Sequence, residues 1–522
     1  MDATLSGSTQ DYLLFLFPAA STFLSPVLAV VLLALSLLWL FPGGPAWALS
    51  RFGRCATPPP PPGVPGAVTA FSGPTAHRAL SAMTRSLPGG SALACFSVGL
   101  TRFVVSSRPD TARELLGSAA FADRPIKDAA RGLLFHRAMG FAPSGDYWRA
   151  LRRISSSYLF SPRSVASSAP HRLAIGERML ANVSSSLSAP GDGGGTVSMR
   201  RVLHAASLDH IMATVFGARY DATTPEGVEL EEMVKEGYDL LGMFNWGDHL
   251  PLLKWLDLQG VRRRCRALVS RVDVFVGRII QEHRQKKRGG NGDESAGDFV
   301  DVLLGLQGEE KLSDSDMIAV LWEMIFRGTD TVAILLEWVM ARMVLHPEVQ
   351  AKAQEEIDGV GDGGGHAVTD ADVLRLPYLQ SIVKETLRMH PPGPLLSWAR
   401  LALHDVNVGG HLVPAGTTAM VNMWAIAHDP AIWPEPGAFR PERFQEEEVS
   451  VLGSDLRLAP FGAGRRVCPG KTMALATVHL WLAQLLQRFE WAPADGGVDL
   501  SERLNMSLEM EKPLVCRATA RA

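Results

Sequence analysis

Cys468 stands alone in the stretch Pro460-Phe461-Gly462-Ala463-Gly464-Arg465-Arg466-Val467-Cys468-Pro469-Gly470, and an apolar run from Ala474 to Leu486 follows it. The pattern predicts a loop feeding a helix. Glycines let a backbone turn tightly and approach a flat ligand, and they leave amide N–H groups free to point at a sulfur. A thiolate held in this way can ligate a metal, with Phe461 shielding the sulfur and Arg466 meeting an anion on the ligand's rim. These residue types suit a haem whose iron takes a cysteine thiolate, a ligand that pushes electron density toward O–O cleavage. The competing reading for one cysteine is a buried structural thiol beside a turn.

Two further groupings point the same way. Trp148 and Arg152 lie at i and i+4 of a helix that starts near Asp146, so they share one face. An indole N–H and a guanidinium on one face both donate to carboxylates, as haem propionates require. Between Asp314 and Leu345 a long helical pattern of Met, Ile, Val, Leu and Trp is interrupted by Phe326-Arg327-Gly328-Thr329-Asp330-Thr331. A helix apolar on most sides must be buried, and Gly328 there costs about 1 kcal/mol relative to alanine. Threonine can bond to a carbonyl one turn back and bend the helix. A buried bend with polar groups at its centre suits oxygen binding and proton delivery. Thr331 would hold a water or the distal oxygen, and Asp330 would relay protons from solvent. The alternative for Thr331 is simple satisfaction of a backbone carbonyl.

The elements that must position these groups span most of the chain. At 522 residues it has room for a large core, and one site drawing on both Trp148 and Cys468 argues for a single catalytic domain over 67–522. Positive and negative residues nearly cancel, 51 Lys+Arg against 54 Asp+Glu, so no basic field favours nucleic acid. The five cysteines are scattered and include no Cys-x-x-Cys pair, which fits a reducing compartment without a disulfide frame or zinc site.

No charged residue occurs from Tyr12 to Ser50. The aliphatic and aromatic run from Phe23 to Phe41 is long enough for a helix crossing a bilayer core of about 30 Å. Acids precede it and Arg51 and Arg54 follow it, so residues 1–50 are expected to anchor a cytosolic body in the membrane. A cleaved signal peptide is the rival, but the basic start is missing and the apolar run is too long. Residues 51–66 contain five consecutive prolines, Pro58 to Pro62, and read as a stiff extended hinge. Ala94 to Val98 and Arg102 to Ser106 are β-like, Val202 to Gln285 is mostly helical, and Ala399 to Asn422 is expected to form a small antiparallel sheet. The fold class is therefore mainly α with small β-sheets. Glycine clusters at 191–195 and 361–365 lack a following Lys-Ser/Thr and read as surface linkers.

These motifs resemble those of the cytochrome P450 family. Phe461, Gly464, Arg466, Cys468 and Gly470 match all five fixed positions of its Phe-x-x-Gly-x-Arg-x-Cys-x-Gly signature. Trp148 and Arg152 match Trp-x-x-x-Arg, Gly328, Asp330 and Thr331 match the oxygen-binding motif, Glu385 and Arg388 match Glu-x-x-Arg, and Arg443 falls in Pro-Glu-Arg-Phe. The hinge is similar to the proline-rich hinge of microsomal members. Arg327 departs from the pattern, which has alanine or glycine there, and is expected to turn toward Glu323 at i−4 rather than into the substrate cavity.

The resemblance implies the P450 fold, haem b on Cys468, and a monooxygenase that puts one oxygen atom of O2 into an apolar substrate. Glu385, Arg388 and Arg443 would lock the layer behind the cysteine loop. Arg400 or Ala399 would supply a third propionate contact, and Leu395, Leu396, Ser397 and a turn near Ser507 to Glu509 would face substrate. Electrons would come from NADPH through NADPH-cytochrome P450 reductase, docking on a basic patch of Arg149, Arg153, Arg465 and Lys471. The expected location is the endoplasmic reticulum membrane, single-pass and in contact with lipid, with the catalytic domain cytosolic. The stretches Phe121 to Arg153 and Trp322 to Thr331 look like those of the plastochron, giant-embryo and KLUH group of plant members, which influence organ, seed and embryo growth; fatty-acid hydroxylation is implied by that likeness alone. A hydroperoxide isomerase or lyase is the rival enzyme, disfavoured by the intact Asp330-Thr331 pair. A haem-binding sensor is the non-enzymatic rival, with His479 as alternative ligand, although its place amid Val478, Leu480 and Trp481 suggests packing.

Overall fold

A computed structural model describes residues 41–51, 58–64, 67–87, 90–188, 195–219, 221, 224–288, 297–360, 367–396 and 399–521, with five scattered positions before residue 41. Most of the expected membrane helix, Ser397 and nearly all of the two glycine-rich linkers lie outside the described residues. Among the described residues no helix is long and apolar enough to cross a membrane.

Eight helices frame the site: α1 (Asp146–Ile154), α2 (Ala169–Ser188), α3 (Met199–Phe216), α4 (Pro225–Gly242), α5 (Val261–Arg288), α6 (Asp314–Leu345), α7 (Pro377–Met389) and α8 (Lys471–Arg488). The 32 residues of α6 run through the middle of the molecule, about 48 Å at 1.5 Å per residue. Ser313 caps its start by accepting from the Asp316 amide, and Asp314 and Asp316 in the first turn favour the positive helix end.

The apolar surface of α6 is divided between two cores. Met317 to Phe326 pack with residues of α3, α4 and α5, whereas Val332 to Val344 pack with α2, α7 and α8. The change of partner falls on Arg327 to Thr331, so the polar interruption seen in the sequence marks the seam between the cores. The helix runs unbroken through this stretch. Thr329 Oγ1 donates to the Ile325 carbonyl at 2.7 Å, which satisfies its hydroxyl inside the helix instead of breaking it.

The small sheets follow the alternation in the sequence. β1 (Leu93–Val98) and β2 (Thr101–Ser106) form an antiparallel hairpin, matching the expected boundaries to within a residue. β3 (Arg400–Leu401) pairs antiparallel with β4 (Thr418–Val421), but β4 pairs parallel with β2. The sheet expected between Ala399 and Asn422 is thus not a closed antiparallel unit. The register Phe103 to Thr418 through Ser106 to Val421 joins it to the hairpin more than three hundred residues earlier. Short strands Val406–Val408 and His411–Val413 make a separate hairpin through Gly409 and Gly410, both at positive φ.

The hinge region is docked against this sheet. Cys95 donates its amide to the Pro62 carbonyl at 2.9 Å, and Val64 donates to the Cys95 carbonyl at 2.8 Å. The helix Pro45–Arg51 buries Trp47, whose indole donates to the carbonyls of Phe96 and Phe103. Pro61 to Val64 thus lie along the edge of β1, and the Pro59 carbonyl accepts from the Leu412 amide.

Candidate active site

The seam on α6 opens into a cavity of about 270 Å³. Gly328 and Thr331 line it from α6, and Pro460, Phe461, Gly462 and Cys468 line it from the loop before α8. Ile211, Val215, Met324, Val332, Leu335 and Leu395 make much of the remaining wall apolar.

The cysteine loop is held by backbone constraints that only glycine meets. Gly464 adopts φ +67°, and a Cβ there would collide with the carbonyl oxygen of Leu116. Gly462 is likewise left-handed, at φ +69°. The Cys468 amide donates to the Phe461 carbonyl at 2.9 Å, closing the turn. Burial raises the Cys468 thiol, while Arg327, the Gly470 amide, Arg152 and Lys471 favour the thiolate. His479 does not line the cavity; it sits in mid-α8, where burial lowers its imidazole to about 4.

Cationic groups crowd the edge near the loop. Arg152 donates to the Val467 carbonyl at 2.9 Å, Arg400 to Ala463 at 3.1 Å, and Arg466 to Ala122 at 2.9 Å and Ala142 at 2.7 Å. Trp148 sends its indole N–H to the Met139 carbonyl at 3.1 Å, and the Arg466 guanidinium stacks 4.1 Å from its ring centre. Arg124, which sequence reasoning did not single out, joins them through the carbonyls of Gly140 and Ala399.

Burial lowers all four guanidiniums, and repulsion from neighbouring arginines, Arg327 in the case of Arg152, adds to it. Arg400 falls to about 9 through burial, Arg466 and Arg152, and Arg466 to about 10 through burial and Arg152, opposed by Asp123. Arg124 lies well below its ordinary value through burial, Arg400, Arg466 and Arg327. The acids facing this group are Asp123, 3.8 Å from Arg466, and Glu323. Buried cations in excess of buried anions call for an anionic partner, and two haem propionates supply that charge. The donor set therefore fits haem b, with Cys468 to ligate iron and the arginine edge to hold the propionates.

Gly328 has a packing role that its motif does not reveal. A Cβ there would strike Cδ1 of Ile211, so its absence lets α3 cross α6 beside the cavity. Thr331 faces the cavity with its hydroxyl 3.4 Å from the Arg327 carbonyl. Asp330 is on the other side of the helix from this opening: it does not line the cavity, and its Oδ1 lies 3.1 Å from Nε2 of His204 on α3. Arg327 does two things expected to exclude one another. It reaches toward Glu323, at 3.7 Å, and it also lines the cavity. Glu323 itself lines the cavity, so an arginine that reaches toward it stays in the cavity wall.

Behind the loop, Glu385 and Arg388 are completely buried and bind each other through two hydrogen bonds of 2.8 Å. Arg443 adds a third bond to Glu385 at 3.1 Å. Arg388 then donates to the carbonyls of Ala427, Pro436 and Ala438. The donors are spent on carboxylate and backbone, so this is a structural lock rather than a solvated pair. Leu395, Leu396 and Ser507 line the cavity as expected.

A cavity lined by Cys468 and by Thr331 of α6, and rimmed by guanidiniums, fits a haem-thiolate site. Residues 58–516 match the sequence profile of the family described as Cytochrome P450. The chain is 58% identical over 485 residues to Cytochrome P450 78A5 of Arabidopsis thaliana, covering 92% of each protein. It is 53% identical over 509 residues to Cytochrome P450 78A1 of Zea mays, covering 95% of this chain and 92% of that one. It is 36% identical over 459 residues to Flavonoid 3'-monooxygenase of Arabidopsis thaliana, covering 84% and 86%. The chain belongs to the cytochrome P450 family of haem b monooxygenases.

Proposed function

We propose that this chain hydroxylates a fatty-acid-like substrate with O2, using electrons from NADPH delivered by NADPH-cytochrome P450 reductase, in the service of plant organ, seed or embryo growth. The observation that carries the reading is the cavity in which Cys468 and Thr331 share one apolar chamber. Bound haem supplies the oxygen activation, and its thiolate ligand favours O–O cleavage.

The chain's own residues do the rest. Apolar walls from Ile211, Val215, Met324 and Leu395 hold a hydrocarbon and exclude water. Thr331 would hold a hydrogen-bonded water or oxygen in the cavity, and Asp330 would pass protons to it from the side of α6 that faces His204. Arg124, Arg152, Arg400 and Arg466 would hold the haem propionates. Trp148 supports them by stacking under Arg466.

Reductase docking is supported by the cations around the cysteine loop, moderated by neighbouring acids. Arg149 is 2.5 Å from Asp146 and Arg153 is 2.5 Å from Glu310, while Lys471 donates to the Leu452 carbonyl. The uncharged stretch from Tyr12 to Ser50 supports a single-pass anchor in the endoplasmic reticulum membrane with the catalytic domain, 67–522, in the cytosol. The growth role rests on likeness to the plastochron and KLUH group. The test is a carbon monoxide difference spectrum of the full chain, followed by product analysis with reductase, NADPH and a panel of fatty acids. Thiolate-type absorption with NADPH-dependent hydroxylated products supports the reading; a histidine-type band, or turnover only with hydroperoxides, overturns it.

A further inference from the structure

The oxygen-activating turn of α6 carries a charge pair that the P450 reaction itself does not need. Glu323 is 1% exposed, yet it lines the cavity. Its Oε1 accepts the Gly140 amide at 2.7 Å and the Met139 amide also favours the carboxylate, while its Oε2 is buried without a well-aligned hydrogen-bond partner. Arg327, one turn further along the helix, places Nη1 3.7 Å from Oε1, well beyond the 2.7–2.9 Å typical of a charge-assisted hydrogen bond. About a third of the Arg327 side chain is open, and it too lines the cavity. A buried carboxylate oxygen without a partner carries a large desolvation cost, and a loose ion pair offsets little of it.

We infer that Arg327 and Glu323 form the polar end of the substrate site and bind the carboxyl group of a fatty acid, whose chain lies along the apolar wall. This rests on the fatty-acid reading above and names the part of the cavity that recognises the acid. Arg327 donates to one carboxylate oxygen of the substrate. Glu323, whose carboxyl burial pushes up, shares a proton with the other oxygen and so satisfies Oε2. The pair also sets the charge of the ligand. One arginine beside one carboxyl accepts a monoanion, whereas a doubly charged phosphate would meet Glu323 with net repulsion. Thr331 stands one turn beyond Arg327 on the same face, so a chain anchored at the pair runs past the hydroxyl. Met324, Ile211 and Leu395 offer it an apolar path.

The test is spectral titration of the haem-loaded full chain with dodecanoic acid and with its methyl ester, in wild type, Arg327→Gln and Arg327→Lys. Each protein is first checked for an intact thiolate carbon monoxide band. The expected result is an acid-over-ester preference of about tenfold or more in wild type, which collapses in Arg327→Gln and is partly kept in Arg327→Lys. Equal affinity for acid and ester in wild type overturns the head-group assignment while leaving the fatty-acyl reading standing. So does a parallel loss of both ligands in Arg327→Gln with the thiolate band intact. Failure of both probes to bind wild type overturns the fatty-acyl reading itself, and the assignment with it.

Discussion

Nε2 of His204 on α3 and Oδ1 of Asp330 on α6 lie 3.1 Å apart, on the side of α6 away from the cavity. Burial pushes the Asp330 carboxyl up to about 7, with Glu509 and Glu337 adding to it and Arg200 opposing. Burial and Arg200 lower His204 to about 4, so the imidazole is neutral and can accept or donate. Tyr238, with its hydroxyl on the Phe326 carbonyl, faces the same carboxyl from α4. An acid that titrates near neutrality and touches a neutral imidazole can take protons from one side of the helix and release them on the other.

Turnover should therefore fall as pH rises through about 7, as Asp330 loses its proton. Asp330→Asn should lose that limb and lower coupled product formation by about 10²- to 10⁴-fold, with NADPH oxidation falling less than product. Product and NADPH measured side by side across pH check this. A wild-type profile flat from about pH 5 to about pH 9 (roughly two units on either side of the titration) would contradict the assignment.

The same pair shapes stability. Asp330 is raised from 3.8, so its contribution is full below that value and is lost as pH rises through about 7. His204 is lowered from 6.5, so its contribution is full above that value and is lost as pH falls through about 4. Asp330→Asn should therefore flatten the upper part of the melting-temperature profile, and His204→Gln the lower part, as read by thermal denaturation against pH.

Replacing Cys468 by serine should leave the apolar cores intact, because the thiol's own packing is small. It should abolish the thiolate carbon monoxide band and NADPH-dependent oxidation. A Cys468→Ser protein that keeps both would remove the basis of the site.

Breaking the lock behind the loop should act on haem loading before it acts on chemistry. Arg388→Ala leaves the buried Glu385 carboxylate with only Arg443 and the Arg440 amide as partners, at a cost of about 3–5 kcal/mol. Far-UV circular dichroism and the haem-to-protein ratio should both decline. Glu385→Gln, which keeps the shape, should do less harm than Glu385→Ala.

Two glycines should respond differently to alanine. At Gly464 the backbone is left-handed and the obstacle is the Leu116 carbonyl, which cannot turn aside, so Gly464→Ala should give little folded, haem-loaded protein. At Gly328 the obstacle is the end of the Ile211 side chain, so Gly328→Ala should cost about 1–3 kcal/mol. Ile211→Ala combined with it should restore part of the loss, as denaturant melts of the double variant will show.

The sequence alone determined the chemistry carried within short stretches. Cys468 among its glycines, the Glu385–Arg388 spacing and the polar interruption on α6 are local, because a loop's turns and a helix's periodicity depend on neighbours a few residues away. Tertiary structure decided what crosses between elements. Arg124 and Glu323 carry no motif, and they enter the site only because the loop at Gly140 folds onto α6. Asp330 meets His204 and Gly328 meets Ile211 only because α3 crosses α6 at that turn. Strand pairing followed the same division: alternation marked β2 and β4, but nothing local to either stated that they would run parallel. Such contacts are fixed by how the two cores close on either side of α6, a property of the packed whole that no window of the chain contains.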